Sequence, residues 1–551
     1  MLTYSQIVEK LIYMWYYKME ISVKVGFHMK KLISILLAIV MVLGCAVPAL
    51  ATAEDNEYPI IYLSGFGSAI YSDNMPNPET QIYPLKMDVM TVVKENIGGI
   101  LKELPGGFAT GNWGVYCDRI YDAFAPMFEE IKLDNNGEAS NGSGNAIDIM
   151  TKPIPQKTSG YGLWDYQFNY DWRLSPMLVV DDLKNFIERV KIVTGEDKVS
   201  LVGRCLGGNV ICSYLTKYQS HAQENIDTVM LFTPSTLGLD FFGELFSGKA
   251  VFNPNDVDNF VGYALDQWQV FNDPTSRALT QAIISLSNEL NTLDIGMDLF
   301  QKAFDNIKDN ILPRCIRASF GTFSSFWAMV PADYYDAAKA YVFGGLEDEY
   351  SGLITKMDDY YYNCQLKITD VLKELETAGV GIGVIGKYNT PNLPVYESAG
   401  QQGDLMSDTY NATFGATCAP YGEVLSEEYI STIADKRFLS PDKIIDASTC
   451  LFPEKTWFIK DLYHNYFPAT VDPLIMSFVH SNGEMTIFDD PQWPQYVSCD
   501  RTTYAITPMV TYEEPGFAFG TFKRFLQVLK DLFLIVPEYF KALFANMSAK
   551  A

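Results

Sequence analysis

One short stretch limits the fold of this chain more than any other. Lys198-Val199-Ser200-Leu201-Val202 has the character of a buried strand, and Gly203-Arg204-Cys205-Leu206-Gly207-Gly208 follows it without a spacer. Leu206 to Tyr218 then reads as a helix. A side chain thrown up between strand and helix sits on a sharp, strained turn, and glycine two positions to either side lets the two elements approach closely. The helix that starts here points its positive end at the Cys205 sulfur, which favours the thiolate. Gly-x-x-x-Gly is common by chance. Placed between a strand and a helix it marks a candidate nucleophile, with a buried structural cysteine as the plainer alternative.

The flanking sequence supplies the rest of a sheet. Pro59 to Leu63 is a short apolar run that ends in the turn Ser64-Gly65-Phe66-Gly67-Ser68. Tyr166 to Trp172 alternates like a strand. Asp181 to Val193 carries Leu183, Phe186, Ile187 and Val190 at helical spacing and closes at Gly195, and Thr228 to Phe232 is a further strand. Strands alternating with helices predict an α/β fold with a mostly parallel central sheet. The alternation stops near Ser235. From there to Gly379 the pattern is helical, as in Asp256 to Phe271 and Ser276 to Asn310, with aromatic links such as Phe320 to Trp327. Val380 to Tyr388 and Thr456 to Lys460 resume the strands. Residues 54–234 and 380–515 are therefore expected to form two parts of one core, with 235–379 inserted as a large helical cap; an ordinary helical domain is the alternative for that insert. Asn135 to Asn145, dense in Asn, Gly and Ser, reads as an exposed loop.

Residues 1–53 look like a leader. Lys30-Lys31, the uncharged run Leu32 to Leu43 and the small-residue site Ala51-Thr52-Ala53 have a secretory layout, with Met29 as its start and cleavage near Ala53. The apolar run is short for a membrane span. The expected location is thus secreted or cell-surface, with lipidation at Cys45, after Val42-Leu43-Gly44, as the alternative. The leader holds five Lys/Arg and two Asp/Glu, so its removal takes the net charge from −26 to −29. That acidity argues against nucleic acid as a partner. Cys45 leaves with the leader, and the other eight cysteines show no Cys-x-x-Cys pair and no Cys/His ligand spacing, which argues against a metal site. Export permits disulfides, and the sequence does not choose among the pairings.

A cysteine nucleophile needs a base, and histidine is scarce. Past the leader there are His221, His464 and His480. His464 follows the strand at Thr456 to Lys460, late in the chain, and is preferred over His480 in its looser setting; His221, just beyond the helix after Cys205, reads as a surface residue. The acid that orients the imidazole is expected at Asp408, with Asp404 and Asp446 as rivals. A tetrahedral oxyanion would be held by the backbone N–H of Leu206 and by that of Phe66 in the turn after the first strand. The plainer reading of Gly65-Phe66-Gly67 is a simple glycine turn.

Taken together these residues resemble the lecithin:cholesterol acyltransferase family of α/β-hydrolases. The resemblance rests on Gly65-Phe66-Gly67-Ser68, on Tyr170-Asp171-Trp172-Arg173-Leu174-Ser175-Pro176, on Gly203 to Gly207, and on Thr456-Trp457-Phe458 leading to His464. The cap carries no matching motif. The resemblance implies an α/β-hydrolase fold and cofactor-free ester chemistry on lipids or other long-chain acyl compounds through an acyl-enzyme. It implies Cys205 as nucleophile, Asp408 as acid, His464 as base and Phe66 as oxyanion donor, with a framework role for Tyr170 to Arg173. The departure is Cys205, where the family carries serine. Gly203 to Gly208 alone also resembles the elbows of dienelactone hydrolases and polyhydroxyalkanoate synthases, which have Cys-Asp-His triads. A thiolate is a good nucleophile and a thioester a reactive acyl donor, so acyl transfer stays chemically sound while simple triglyceride lipase activity is disfavoured.

The tail, residues 516–551, reads as an amphipathic helix. Phe522, Leu526, Leu529, Phe533, Val536, Phe540 and Leu543 fall at helical spacing, and the segment is +3 on an acidic chain, with five Lys/Arg and two Asp/Glu. Such a helix suits contact with a membrane surface, or docking on the protein's own core. Three functions are thus in view: an exported hydrolase or acyltransferase on long-chain esters, a thiol-dependent enzyme on thioesters, lactones or polyesters, and a catalytically silent α/β-hydrolase-fold binding protein.

Overall fold

Strands that are apolar at nearly every position need cover on both faces, and a parallel sheet wrapped by helices provides it. In the computed structural model the described residues are 58–509, apart from 74–76, 85–95, 97–98, 100–101, 104, 108, 146–165, 252–300, 303, 394–399 and 502. The expected leader, the tail helix, the helix at 256–271 and most of that at 276–310 lie outside them.

The strands are, in chain order, β1 (Ile60–Leu63), β2 (Ile70–Tyr71), β3 (Gln81–Tyr83), β4 (Tyr166–Gln167), β5 (Val199–Arg204), β6 (Ile226–Phe232) and β7 (Gly381–Tyr388). Then follow β8 (Thr390–Pro391), β9 (Gln402–Gly403), β10 (Thr417–Cys418), β11 (Ile445–Asp446), β12 (Thr456–Lys460), β13 (Tyr496–Cys499) and β14 (Ile506–Pro508). The main sheet has eight strands in the order β14-β13-β12-β7-β6-β5-β1-β4. Every neighbouring pair runs parallel except β13 with β14.

Period-two alternation divides the core. Ile61 and Leu63 face one side with Leu201, Leu231 and Val384. Ile60 and Tyr62 face the other with Val202, Met230, Phe232 and Ile385. The first side is covered by the helices Pro176–Thr194 and Leu206–Lys217, through Leu183, Ile187, Val210 and Tyr214. The second is covered by Asp472–His480, through Leu474, Ile475 and Phe478. Each fully buried aliphatic side chain contributes about 1.5–3 kcal/mol.

The expected strands and helices recur with shifted ends. The helix expected from Asp181 begins at Pro176, whose fixed φ suits a first turn, and it stops at Gly195 with φ 83°. The strand expected over Tyr166 to Trp172 stops at Gln167, because Tyr170, Trp172 and Arg173 are bonded elsewhere, as described below. Nor is Asn135 to Asn145 simply an exposed loop. Ser143 and Asn145 are buried, bonding the Arg173 guanidinium and the Ser68 hydroxyl.

Between β6 and β7 the described residues are helical at Asp240–Phe246, Leu312–Ala318, Ser324–Trp327, Ala332–Phe343, Ser351–Tyr360 and Ile368–Thr377. Ser351–Tyr360 packs on Pro176–Thr194, and Ile368–Thr377 on Leu206–Lys217. The end of the expected cap is therefore part of the helical layer that covers the sheet, joined to its core through Leu353, Met357 and Leu372.

Candidate active site

The sheet's connections change direction at β1. Strands β5, β6, β7 and β12 follow on one side and β4 lies on the other, so the carboxyl ends of β1 and β5 form the switch point at which open α/β sheets bind ligands. Leu63 pairs with Gly203, which sets the turn Ser64 to Ser68 beside Cys205. Cys205 has φ 50° and ψ −125°, a conformation L-residues avoid, at the start of helix Leu206–Lys217.

The glycines make this turn possible. A Cβ on Gly203 would stand 3.0 Å from the Gly208 Cα. One on Gly207 would stand 2.7 Å from the Ser64 carbonyl oxygen and closer still to that of Leu63. We predict that Gly207→Ala costs about 1–3 kcal/mol of stability by pushing β1 and the helix apart. A urea midpoint equal to wild type would contradict this.

The Cys205 sulfur lies close enough to the His464 ring and to the Leu206 N–H for both to favour its thiolate. His464 lies in the loop after β12 and donates from Nδ1 to Asp404 Oδ2 at 2.9 Å, with the Ser407 hydroxyl 3.1 Å from the same nitrogen. Asp404 Oδ1 accepts from the N–H groups of Met406 and Ser407 at 3.3 and 2.7 Å. The backbone completes the link, with His464 N donating to the Asp404 carbonyl at 2.6 Å. Cys205, His464 and Asp404 are 3%, 2% and 1% exposed, so these charges act with little screening by water.

Burial alone would push the Cys205 thiol up, but the His464 ring, the Leu206 N–H and the Arg204 guanidinium together hold it below the ordinary thiol range. Burial works against the His464 imidazolium too, and there the Asp404 carboxylate and the Cys205 sulfur outweigh it, raising the ring to about 9. Asp404, although buried, is brought below the usual carboxylate range by His464 and Lys387. The arrangement favours a thiolate–imidazolium pair.

The aspartate bonded to the His464 ring is Asp404, not the expected Asp408. Asp408 lies four residues on, where its Oδ2 accepts from the Asp240 N–H at 2.7 Å and its Oδ1 from Asn392 at 2.9 Å. Burial and the nearby Asp240 carboxylate hold Asp408 well above the usual carboxylate range, unsuited to stabilising an imidazolium. Asp446 accepts from the Tyr429 hydroxyl and caps Ser448. His480 closes the helix Asp472–His480, with Nε2 buried and unpaired. His221 is not a plain surface residue: it is half-buried and bonds Tyr214 at 2.7 Å and Glu188 at 2.8 Å.

On the opposite wall, a Cβ on Gly65 would lie 3.6 Å from the Cys205 sulfur, so the turn that carries Phe66 passes directly over it. Tyr170 donates from its hydroxyl to the Ser64 carbonyl and Trp172 from Nε1 to that of Ser68, both at 2.8 Å. Each end of the turn is thereby tied. Arg173, fully buried, pairs with Asp171 at 2.6 Å and donates to the Ile131 carbonyl at 2.9 Å. The Phe66 ring, 37% exposed, lies 5.9 Å from Trp172 and 6.1 Å from Phe326. Phe242 continues this wall 5.2 Å beyond Phe326.

A mostly parallel eight-stranded sheet with a strained strand-to-helix elbow at its switch point and a histidine after a late strand fits the α/β-hydrolase fold. No protein-family model matches the chain, and no curated relative does. Among solved structures the chain is similar to a prohormone-processing carboxypeptidase of Saccharomyces cerevisiae, Kex1, at 12% identity. That likeness covers 61% of this chain and 67% of the other with a TM-score of 0.19, too low to bear on fold detail or activity.

Proposed function

We propose that this protein is an acyl-transfer enzyme of the α/β-hydrolase type that acts on lipid or other long-chain acyl esters through a Cys205–His464–Asp404 triad. The observation that carries the reading is the strained elbow that sets Cys205 beside the His464 ring, itself bonded to Asp404 at 2.9 Å. The Cys205 thiolate attacks the ester carbonyl carbon, and the oxyanion that forms is met by the N–H groups of Leu206 and Phe66. His464 gives its proton to the departing alkoxide, leaving an acyl thioester on Cys205. The neutral imidazole then takes a proton from water or an alcohol as its oxygen attacks the thioester. Collapse breaks the carbon–sulfur bond and expels the thiolate beside the imidazolium already formed, restoring the starting pair.

The aromatic wall of Phe66, Trp172, Phe242 and Phe326 supports an apolar acyl group as the part of the substrate that is bound. The resemblance of the turn, the elbow and the Tyr170 to Pro176 segment to the lecithin:cholesterol acyltransferase family supports the same class. The leader-like residues 1–53 support action outside the cytoplasm.

A pH series tests the reading. The thiolate is lost as pH falls through the depressed Cys205 value, and the imidazolium is lost as pH rises through about 9, so turnover should be confined between them. Iodoacetamide should alkylate Cys205 rapidly at neutral pH, and hydrolysis of p-nitrophenyl esters should favour long acyl chains. An ordinary thiol profile for Cys205, with no ester turned over at any chain length, would overturn the proposal.

A further inference from the structure

Behind the triad lies a buried cation that the acyl-transfer steps do not use. Lys387 is in β7, 1% exposed, and its ammonium reaches toward the loop that carries His464. It donates to the backbone carbonyls of Tyr463 at 3.1 Å, His464 at 3.0 Å and Tyr466 at 3.0 Å. An ammonium has three protons, and these carbonyls take all of them. The Phe232 ring lies 4.8 Å from the same nitrogen. Arg204, the residue before the nucleophile, donates to the His464 carbonyl as well, at 3.1 Å, and rests over the Phe467 ring.

A carbonyl cradle of this kind has a mechanical consequence. The segment from Asp461 to Phe467 has no regular structure of its own to fix the imidazole, and Asp461 has a φ of 66°. The His464 main chain is instead gripped from both sides: its N–H by the Asp404 carbonyl, its carbonyl by Lys387 and Arg204. Lys387 sits on a central strand, Arg204 at the end of another, so the histidine is referenced to the rigid sheet. We propose that Lys387 is a positioning residue that holds the His464 loop through its three carbonyl bonds and, by its charge, favours the anionic forms of Asp404 and Cys205. The proposal deepens the triad reading and rests on it for its effect on catalysis.

The groups that face the ammonium are Asp404 from the acid loop, Arg204 and Cys205 from the elbow, Cys499 from β13, and the His464 loop itself with Tyr463 and Tyr466. Burial draws Lys387 down to about 7, against the pull of Asp404 and the Cys205 sulfur, while three carbonyl acceptors favour the proton. Loss of that proton as pH rises would leave one carbonyl without a donor and loosen the loop.

The test compares full-length wild type, Lys387→Met and Lys387→Arg by amide exchange and by the pH dependence of Cys205 alkylation. In Lys387→Met the peptide 461–467 should exchange at least about tenfold faster. The alkylation limb should move upward by about one pH unit, and kcat should fall on the order of 100-fold with KM little changed. Lys387→Arg keeps the charge but not the three-carbonyl geometry, so its alkylation limb should stay near wild type while kcat falls; it serves also if the methionine variant does not fold. Unchanged exchange at 461–467 in a folded variant would overturn the proposal whatever the activity. An ordinary thiol profile in the wild type would instead overturn the triad reading, leaving amide exchange to judge Lys387.

Discussion

Cys205→Ala should abolish ester turnover, by on the order of 10⁵-fold, while the protein stays folded. The size follows from chemistry. Without the sulfur there is no thioester, and what remains is whatever the oxyanion donors do for direct attack by water. The fold should survive because the elbow is shaped by Gly203 and Gly207, and truncating the side chain at 205 leaves both glycines in place. Mass spectrometry of a rapidly quenched reaction provides a second reading. Wild type should carry an acyl adduct on the Cys205 peptide that hydroxylamine removes, and Cys205→Ala should carry none. Turnover near the wild-type rate in the purified variant would end the nucleophile assignment.

The second large effect separates two carboxylates four residues apart. Asp404→Asn should lower kcat by about 10³–10⁴-fold, because an amide in place of Oδ2 cannot stabilise the imidazolium and can present an N–H to Nδ1, favouring the wrong tautomer. The fall should come with a change in the pH profile. His464 owes its rise to about 9 first to Asp404, so the basic limb should move to lower pH. Asp408→Asn should keep activity within about tenfold, since Asp408 bonds the Asp240 N–H and Asn392 rather than the histidine. Steady-state kinetics across pH on both variants decides the matter: a severe loss in Asp408→Asn beside a mild one in Asp404→Asn would reverse the assignment.

These two residues show where the sequence stops being legible. Both are aspartates on one loop, both are buried, and neither lies on an element whose period orients it. Their roles are set by Leu405, which takes a φ of 86° between them, and by the Met406 and Ser407 N–H groups that turn Asp404 toward His464. A loop of this kind leaves no spacing rule to read. Lys387 escaped notice for a related reason: its partners are backbone carbonyls, and any residue type could supply them.

The sequence by itself determined the local geometry that depends on residue type. Gly203 and Gly207 around Cys205 required a tight strand-to-helix turn, the apolar runs at Ile60 to Leu63 and Ile226 to Phe232 required strands covered on both faces, and the scarcity of histidine left His464 as the base preferred on position. Tertiary structure decided the partnerships. It chose Asp404 over Asp408, tied the turn carrying Phe66 to Tyr170 and Trp172 across about a hundred residues, and set Lys387 and Arg204 beneath the histidine loop. The physical reason is range: steric demands on φ and ψ and the period of a strand are read from neighbours in sequence. A hydrogen bond or a buried charge depends on which distant segments the folded chain brings within about 3 Å of one another.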